Sequence, residues 1–371
     1  MKRNAVAVVV AGLVVAGWVL HHRADRAMPT PPEMEPVSAR GVLKPRLPAP
    51  RMSTRAAPLE TPTENPRPTN AFARLLNNDG NPPELSRAQV ESYLAMNRRS
   101  AESLLTAFRL TGDRALLQEA SEKYPNDARV NYAAWSAAHL DDASSPEAVR
   151  ARLDAFKQSA PDNALANYLS AQHYFQSGQS DQAVEELIAA FGKPDFRDYS
   201  GEFIQNLEEA YRAAGYSEGE ARAAAGYSQD SPQLFALREL GRSLGDLATR
   251  YRQAGDEPSA RAVLQIGLDV GRRLDESAGG SLLTRNLAGV AIERRLLGAM
   301  DPNTPHDDTG RTVQDQLDGL AQRFDSLRGL WRQAEPMLQS LSDQDLISYF
   351  DRLKAFGELE ALQWVVNRQG R

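Results

Sequence analysis

Beyond residue 70 the apolar positions recur at helical spacing in short segments divided by polar turn residues, whereas the first twenty residues hold one unbroken apolar run, Ala5 to Leu20. Ser86 caps a predicted helix bearing Val90, Tyr93 and Leu94. Ser100 caps a second with Leu104, Leu105, Phe108 and Leu110, closed by Thr111-Gly112-Asp113. Helices are predicted over 114–124 and 128–140, divided by Pro125-Asn126-Asp127. The same punctuation returns as Pro161-Asp162-Asn163 and as Pro194-Asp195, at separations of 161 − 125 = 36 and 194 − 161 = 33 residues. The stretch 164–190 reads as two antiparallel helices joined at Gln176-Ser177-Gly178-Gln179. Ala171, Tyr174, Ala183, Leu187 and Ala190 fall where the two helices face each other closely. Ala213-Ala214-Gly215-Tyr216-Ser217 and its repeat Ala224-Ala225-Gly226-Tyr227-Ser228 are both expected to end helices, with glycine supplying the left-handed residue.

Towards the carboxyl end an apolar-rich helix is predicted over 281–300, followed by a polar loop over 301–310. Val313, Leu317, Leu320, Phe324, Leu327 and Trp331 then alternate steps of four and three, a seam that Pro336 is expected to limit. The seam reads as a face that packs on the preceding helix; the alternative is a spacer that oligomerises through it. Ser342, with Asp345 three residues on, starts a last hairpin.

A helical hairpin cannot bury its apolar face alone, and a period near 34 with two helices per period implies a stacked array. The stretch 164–190 resembles a tetratricopeptide repeat: Ala171 sits at the small position of the first helix, Tyr174 at its aromatic position and Gly178 at the turn. Ala183, Leu187, Ala190 and Pro194 follow at the family's spacing. Ala248, Tyr251, Gly255, Ala260, Leu264 and Gly267 repeat these offsets, while 128–160 departs from them with Trp135 at a small position. The resemblance implies an all-α fold, a right-handed superhelix of antiparallel helical hairpins that becomes irregular towards the carboxyl end. It also implies a partner groove lined by first helices. Arg129, Tyr132, Ser136 and His139 would come from one repeat, Tyr168, Gln172, Phe175 and Gln176 from the next, and Arg242, Thr249 and Arg252 from the later match. Aromatic, amide and basic groups in that mixture suit an extended peptide of a protein partner. The family's carboxylate clamp is absent.

The apolar run lies between Lys2-Arg3 and His21-His22-Arg23 and reads as a membrane anchor. Its sixteen residues span about 24 Å, and the basic end is expected to stay inside while 28–371 go outside. The alternative is a signal segment cut after Ala27, leaving a secreted or periplasmic chain, although Asp25 sits poorly near that cut. Residues 28–70 hold 11 of the 22 prolines and read as a spacer. The organisation expected is an anchor over 1–27, a linker over 28–70, repeats over 71–275 and a carboxyl-terminal helical region over 276–371.

Charge and chemistry narrow the reading. The net charge of −6 comprises +3 over 1–27 and +2 over 28–70, which leaves −6 − 3 − 2 = −11 for 71–371. An acidic body argues against nucleic acid as a partner. There is no cysteine, so disulfides and thiol chemistry are excluded. The histidines His21, His22, His139, His173 and His306 show no zinc-ligand spacing. The loop with Asp301, Asn303, His306, Asp307 and Asp308 gathers oxygen ligands and would be the site of the alternative reading, an all-helical enzyme or enzyme subunit. It lacks the glycine and terminal glutamate of a calcium loop. With no catalytic constellation and no cofactor motif, the expectation is a membrane-anchored scaffold or adaptor.

Overall fold

The computed structural model describes residues 70–77, 82–227, 231–275, 282–305 and 310–369. The chain divides into two units, Met1–Arg67 and Pro68–Arg371, and every described residue lies in the second. The apolar run 5–20, nearly all of the proline-rich stretch, Ser228, Ser281, His306, Asp307 and Asp308 therefore lie outside the described residues. The described residues form sixteen α-helices and no strand. No helix among them is long and apolar enough to cross a membrane.

The helices begin where short polar side chains cap them. The first two are α1 (Ala71–Asn77) and α2 (Arg87–Met96), the latter opened by Ser86 and Gln89 as a reciprocal capping box. Next come α3 (Ala101–Thr111), α4 (Arg114–Lys123), α5 (Ala128–His139), α6 (Pro146–Ser159), α7 (Ala164–Gln176) and α8 (Ser180–Ala190). Ser100, Asp113, Asp127, Ser145 and Asn163 each accept a backbone N–H at the start of one of these. From α3 to α8 each helix packs on the next in sequence. Gly112 (φ 68°) and Gly178 (φ 73°) make the sharp turns at α3–α4 and α7–α8, a conformation that glycine adopts without steric cost. Ala171, Ala183 and Ala190 are fully buried at the α7–α8 contact, as their small size suggests. Trp135 is buried in α5 against Tyr132 and His139, so the large ring at a small position is absorbed inside the stack.

After Ala190 contacts stop following chain order. The hairpin of α9 (Ser200–Ala213) and α10 (Glu218–Tyr227) folds back, with α9 on α2 and α3 and α10 on α1. The long α11 (Pro232–Gln253) then lies along α7 and touches α5, and α12 (Glu257–Asp275) and α13 (Leu283–Leu297) pack on it and on each other. The last three helices are α14 (Val313–Ser340), α15 (Asp343–Phe356) and α16 (Glu358–Gln369); α14 rests on α13, α16 and α1, and α15 on α16 and α10. Asn70 joins the two ends of this unit, its Nδ2 donating to the carbonyls of Leu338 (2.8 Å) and Leu341 (2.9 Å). Of the seam residues Val313, Leu320 and Leu327 are buried and Leu317, Phe324 and Trp331 half-buried, with the helix packed on the preceding one.

Two expectations are corrected. α10 ends within the second copy, at Tyr227, but Gly226 supplies no left-handed turn: it is still helical, and a Cβ on it would stand 3.1 Å from the Phe350 ring of α15. Its counterpart Gly215 does take the left-handed turn, at φ 95°. Pro336 does not limit the seam helix, which runs on to Ser340. The proline lies on an exposed face, where water can serve the carbonyl whose amide partner it removes.

Candidate partner-binding surfaces

The face expected to hold a partner is largely covered by α11 and α12. Tyr132 is 2% exposed and its hydroxyl donates to Gln233 Oε1 on α11 at 2.8 Å. Tyr168 is 1% exposed and donates to Asp269 Oδ2 on α12 at 3.3 Å. Gln172 is buried and accepts from Ser243 on α11 at 3.4 Å. Burial pushes both tyrosine hydroxyls far above their ordinary range, with Asp198 adding to the shift at Tyr132 and Asp269 at Tyr168. Arg129 is engaged by Asp127 (2.6 Å), Glu102 (2.7 Å) and Glu202 (3.6 Å). Arg252 donates to the Ala299 carbonyl and pairs with Glu257 at 3.4 Å. Ser136, His139 and Phe175 are half-buried; Gln176, Arg242 and Thr249 are exposed. The eleven residues thus do not assemble into one open groove. The extra length of α11, which continues into α12 and α13, supplies the apolar surface that closes that face.

The loop 191–199 between α8 and α9 is where this closure is fastened. The two proline punctuations meet here: Ala164 N–H donates to the Asp195 carbonyl at 2.9 Å, and the Asn163 side chain holds both the N–H and the carbonyl of Arg197. Asp198, buried, accepts from Ser200 N–H (3.1 Å), Ser200 Oγ (2.7 Å), Gln233 Nε2 (3.1 Å) and Arg285 Nη1 (3.2 Å). Tyr199 follows at φ 58°, a strained conformation for a large residue, held by ring contacts to Tyr132 and Phe156.

The opposite face of the stack is open. Arg114, Leu117, Gln118, Ser121 and Glu122 of α4 lie on one side of a cleft of about 490 Å³; Ala134, Ala137 and Ala138 of α5 form its floor, and Asp141, Ser144 and Arg152 complete it. Spacings of three and four residues put each set on one helix face. Arg114 pairs with Asp141 across the mouth at 2.7 Å, holding that carboxyl below its ordinary range. The alanine floor admits close approach of a backbone, and the rim offers both charge signs and three amide or hydroxyl groups, Gln118, Ser121 and Ser144. The sequence held a signal for it in the Ala134, Ala137, Ala138 stripe, which lies on the side of α5 opposite Tyr132.

Among the described residues no three His, Asp or Glu side chains gather to hold a metal ion. The described part of the 301–310 loop is a turn, with Asp301 Oδ1 accepting from Asn303 N–H at 2.9 Å ahead of the Thr312 cap of α14. No family model, no characterised protein and no solved structure matches the chain.

Proposed function

We propose that the chain is a membrane-anchored adaptor that holds an all-helical, tetratricopeptide-like body in the extracytoplasmic space and binds a segment of a protein partner, without catalysis. The observation that carries this reading is the run of sequential hairpins α3–α8 with an unfilled cleft between α4, α5 and α6. Turn glycines at Gly112 and Gly178 and contact alanines at Ala171 and Ala183 support the repeat-like part of it. The apolar run 5–20 after Lys2-Arg3 and the proline-rich 28–70 support the placement.

The test is made on the full-length chain in its membrane. Photo-crosslinkers replacing Gln118 and Arg152 capture the same protein partner, and Ala138→Trp, which fills the cleft, abolishes the capture while leaving the thermal transition in place. Capture that ignores Ala138→Trp overturns the binding mode. Protease digestion of 71–371 only after the inner membrane is broken overturns the placement.

A further inference from the structure

A second pocket lies far from the cleft in sequence, where the starts of α13 and α16 meet beside α14. Glu358, the first residue of α16, accepts the Leu283 N–H through Oε2 at 2.6 Å and the Tyr349 hydroxyl through Oε1 at 3.5 Å. Around this contact Leu283, Leu287, Trp331, Arg328, Arg332 and Glu358 enclose about 400 Å³, within the size range of ligand sites. Leu283 and Leu287 stand one turn apart and make an apolar wall, with half-buried Trp331 of α14 beside them. Arg328 and Arg332 stand one turn apart on the other side, both exposed, and neither pairs with a carboxylate among the described residues. Arg328 instead lies 5.5 Å from the Phe324 ring. Arg99, Arg222, Arg323 and Arg368, by contrast, are each held in ion pairs. Glu358 makes no ion pair with either rim arginine; its oxygens accept from the Leu283 N–H and the Tyr349 hydroxyl.

We propose that this pocket docks an acidic segment of a partner protein in which carboxylates alternate with an apolar side chain. Residues one helical turn apart are separated by about 5–6 Å, close to the roughly 7 Å between alternate side chains of an extended peptide. Two carboxylates spaced i and i+2 therefore reach Arg328 and Arg332 on α14, while the residue between them turns to Leu283 and Leu287 on α13. The body as a whole, at −11 over 71–371, repels such a segment, so the arginine rim selects both place and orientation. The inference rests on the adaptor reading but uses a different surface.

Fluorescein-labelled hexapeptides alternating Asp or Glu with Leu, Phe or Trp, and the same set with Asn and Gln, are titrated against the full-length chain by fluorescence polarisation. The acidic set binds, the amide set binds at least about tenfold more weakly, and Arg328→Gln/Arg332→Gln weakens the acidic set at least about tenfold. Arg261→Gln, an exposed control on α12, changes nothing. Equal binding of the amide set, binding indifferent to Arg328→Gln/Arg332→Gln, or no binding by any acidic peptide overturns the proposal. So does recruitment of phosphatidylglycerol vesicles through the same arginines without peptide binding. Peptide binding lost on Ala138→Trp and kept in the arginine variant overturns this site while leaving the adaptor reading in place.

Discussion

Arg285 Nη1 donates to Asp198 Oδ2 at 3.2 Å with side-chain exposures of only 10% and 7%, and the two partners depend on each other unequally. Asp198 has three further donors, from Ser200 and Gln233. Among the described residues Arg285 has no other hydrogen bond: its Nε and Nη2 are buried without a partner, and the Phe196 ring lies 5.3 Å away. Truncating the carboxylate strands a buried cation, whereas truncating the cation leaves the anion served. Asp198→Ala is expected to lower unfolding free energy by about 3–5 kcal/mol, and Arg285→Met by about 1 kcal/mol. Urea denaturation of both variants checks this; equal losses would mean that the clamp is not organised around Asp198.

Glycines in this chain divide by what stands next to them. A Cβ on Gly289 of α13 would meet the Gly271 carbonyl of α12 at 2.6 Å, a backbone atom that cannot turn aside. Gly319 of α14 has nothing within 4 Å. Gly289→Ala is expected to destabilise by about 1–3 kcal/mol through overpacking, and Gly319→Ala to stabilise by about 0.5–1 kcal/mol through helix propensity. The thermal transitions should move in opposite directions.

That contrast also marks what could be read in advance. Caps such as Ser86, Ser100 and Ser342 and turns such as Gly178 act through neighbours within four residues, so the sequence displays them directly. Tyr132 and Gln233 are 101 residues apart, and nothing local to either reports the other. The eleven groove positions were placed by analogy with an open stack, and Tyr168 and Gln172 became interior only because α11 returns along α7. Gly226 looked like Gly215 because five residues repeat; the difference lies in Phe350, contributed by a helix far along the chain. The rim of Arg328 and Arg332 is hidden for the same reason, since Leu283 and Leu287, which face it, come from a separate helix.

Burial pushes the Glu358 carboxyl above its ordinary value, partly offset by the Leu283 N–H and the Tyr349 hydroxyl. A carboxyl whose folded pKa is raised binds its proton more tightly in the folded state. Its stabilisation is complete below the unfolded pKa of about 4.5 and is lost as pH rises through the folded value. Glu358→Gln keeps an acceptor for Leu283 and removes the ionisation. The urea midpoint of the variant is expected to fall less than that of the parent between pH 5 and pH 8; identical slopes would count against a buried, reluctant acid.

Two histidines, on α5 and α7 with α6 between them in the chain, titrate together. His139 ends α5, stacked on Trp135 at 5.2 Å, and His173 lies near the end of α7, with Arg150 of α6 over the adjoining Tyr174 ring at 4.5 Å. Burial lowers both histidine pKa values; at His173 Arg150 and then His139 lower it further, while Asp154 and Glu147 oppose them. A depressed folded pKa means that the unfolded chain takes up the proton first. Stability is therefore expected to fall as pH drops below about 6.5 and to level off only below the folded values. His139→Asn/His173→Asn removes both groups, so its urea midpoint should change less than that of the parent between pH 7.5 and pH 5.5. If the two proteins lose stability in parallel, the acid sensitivity belongs to other groups.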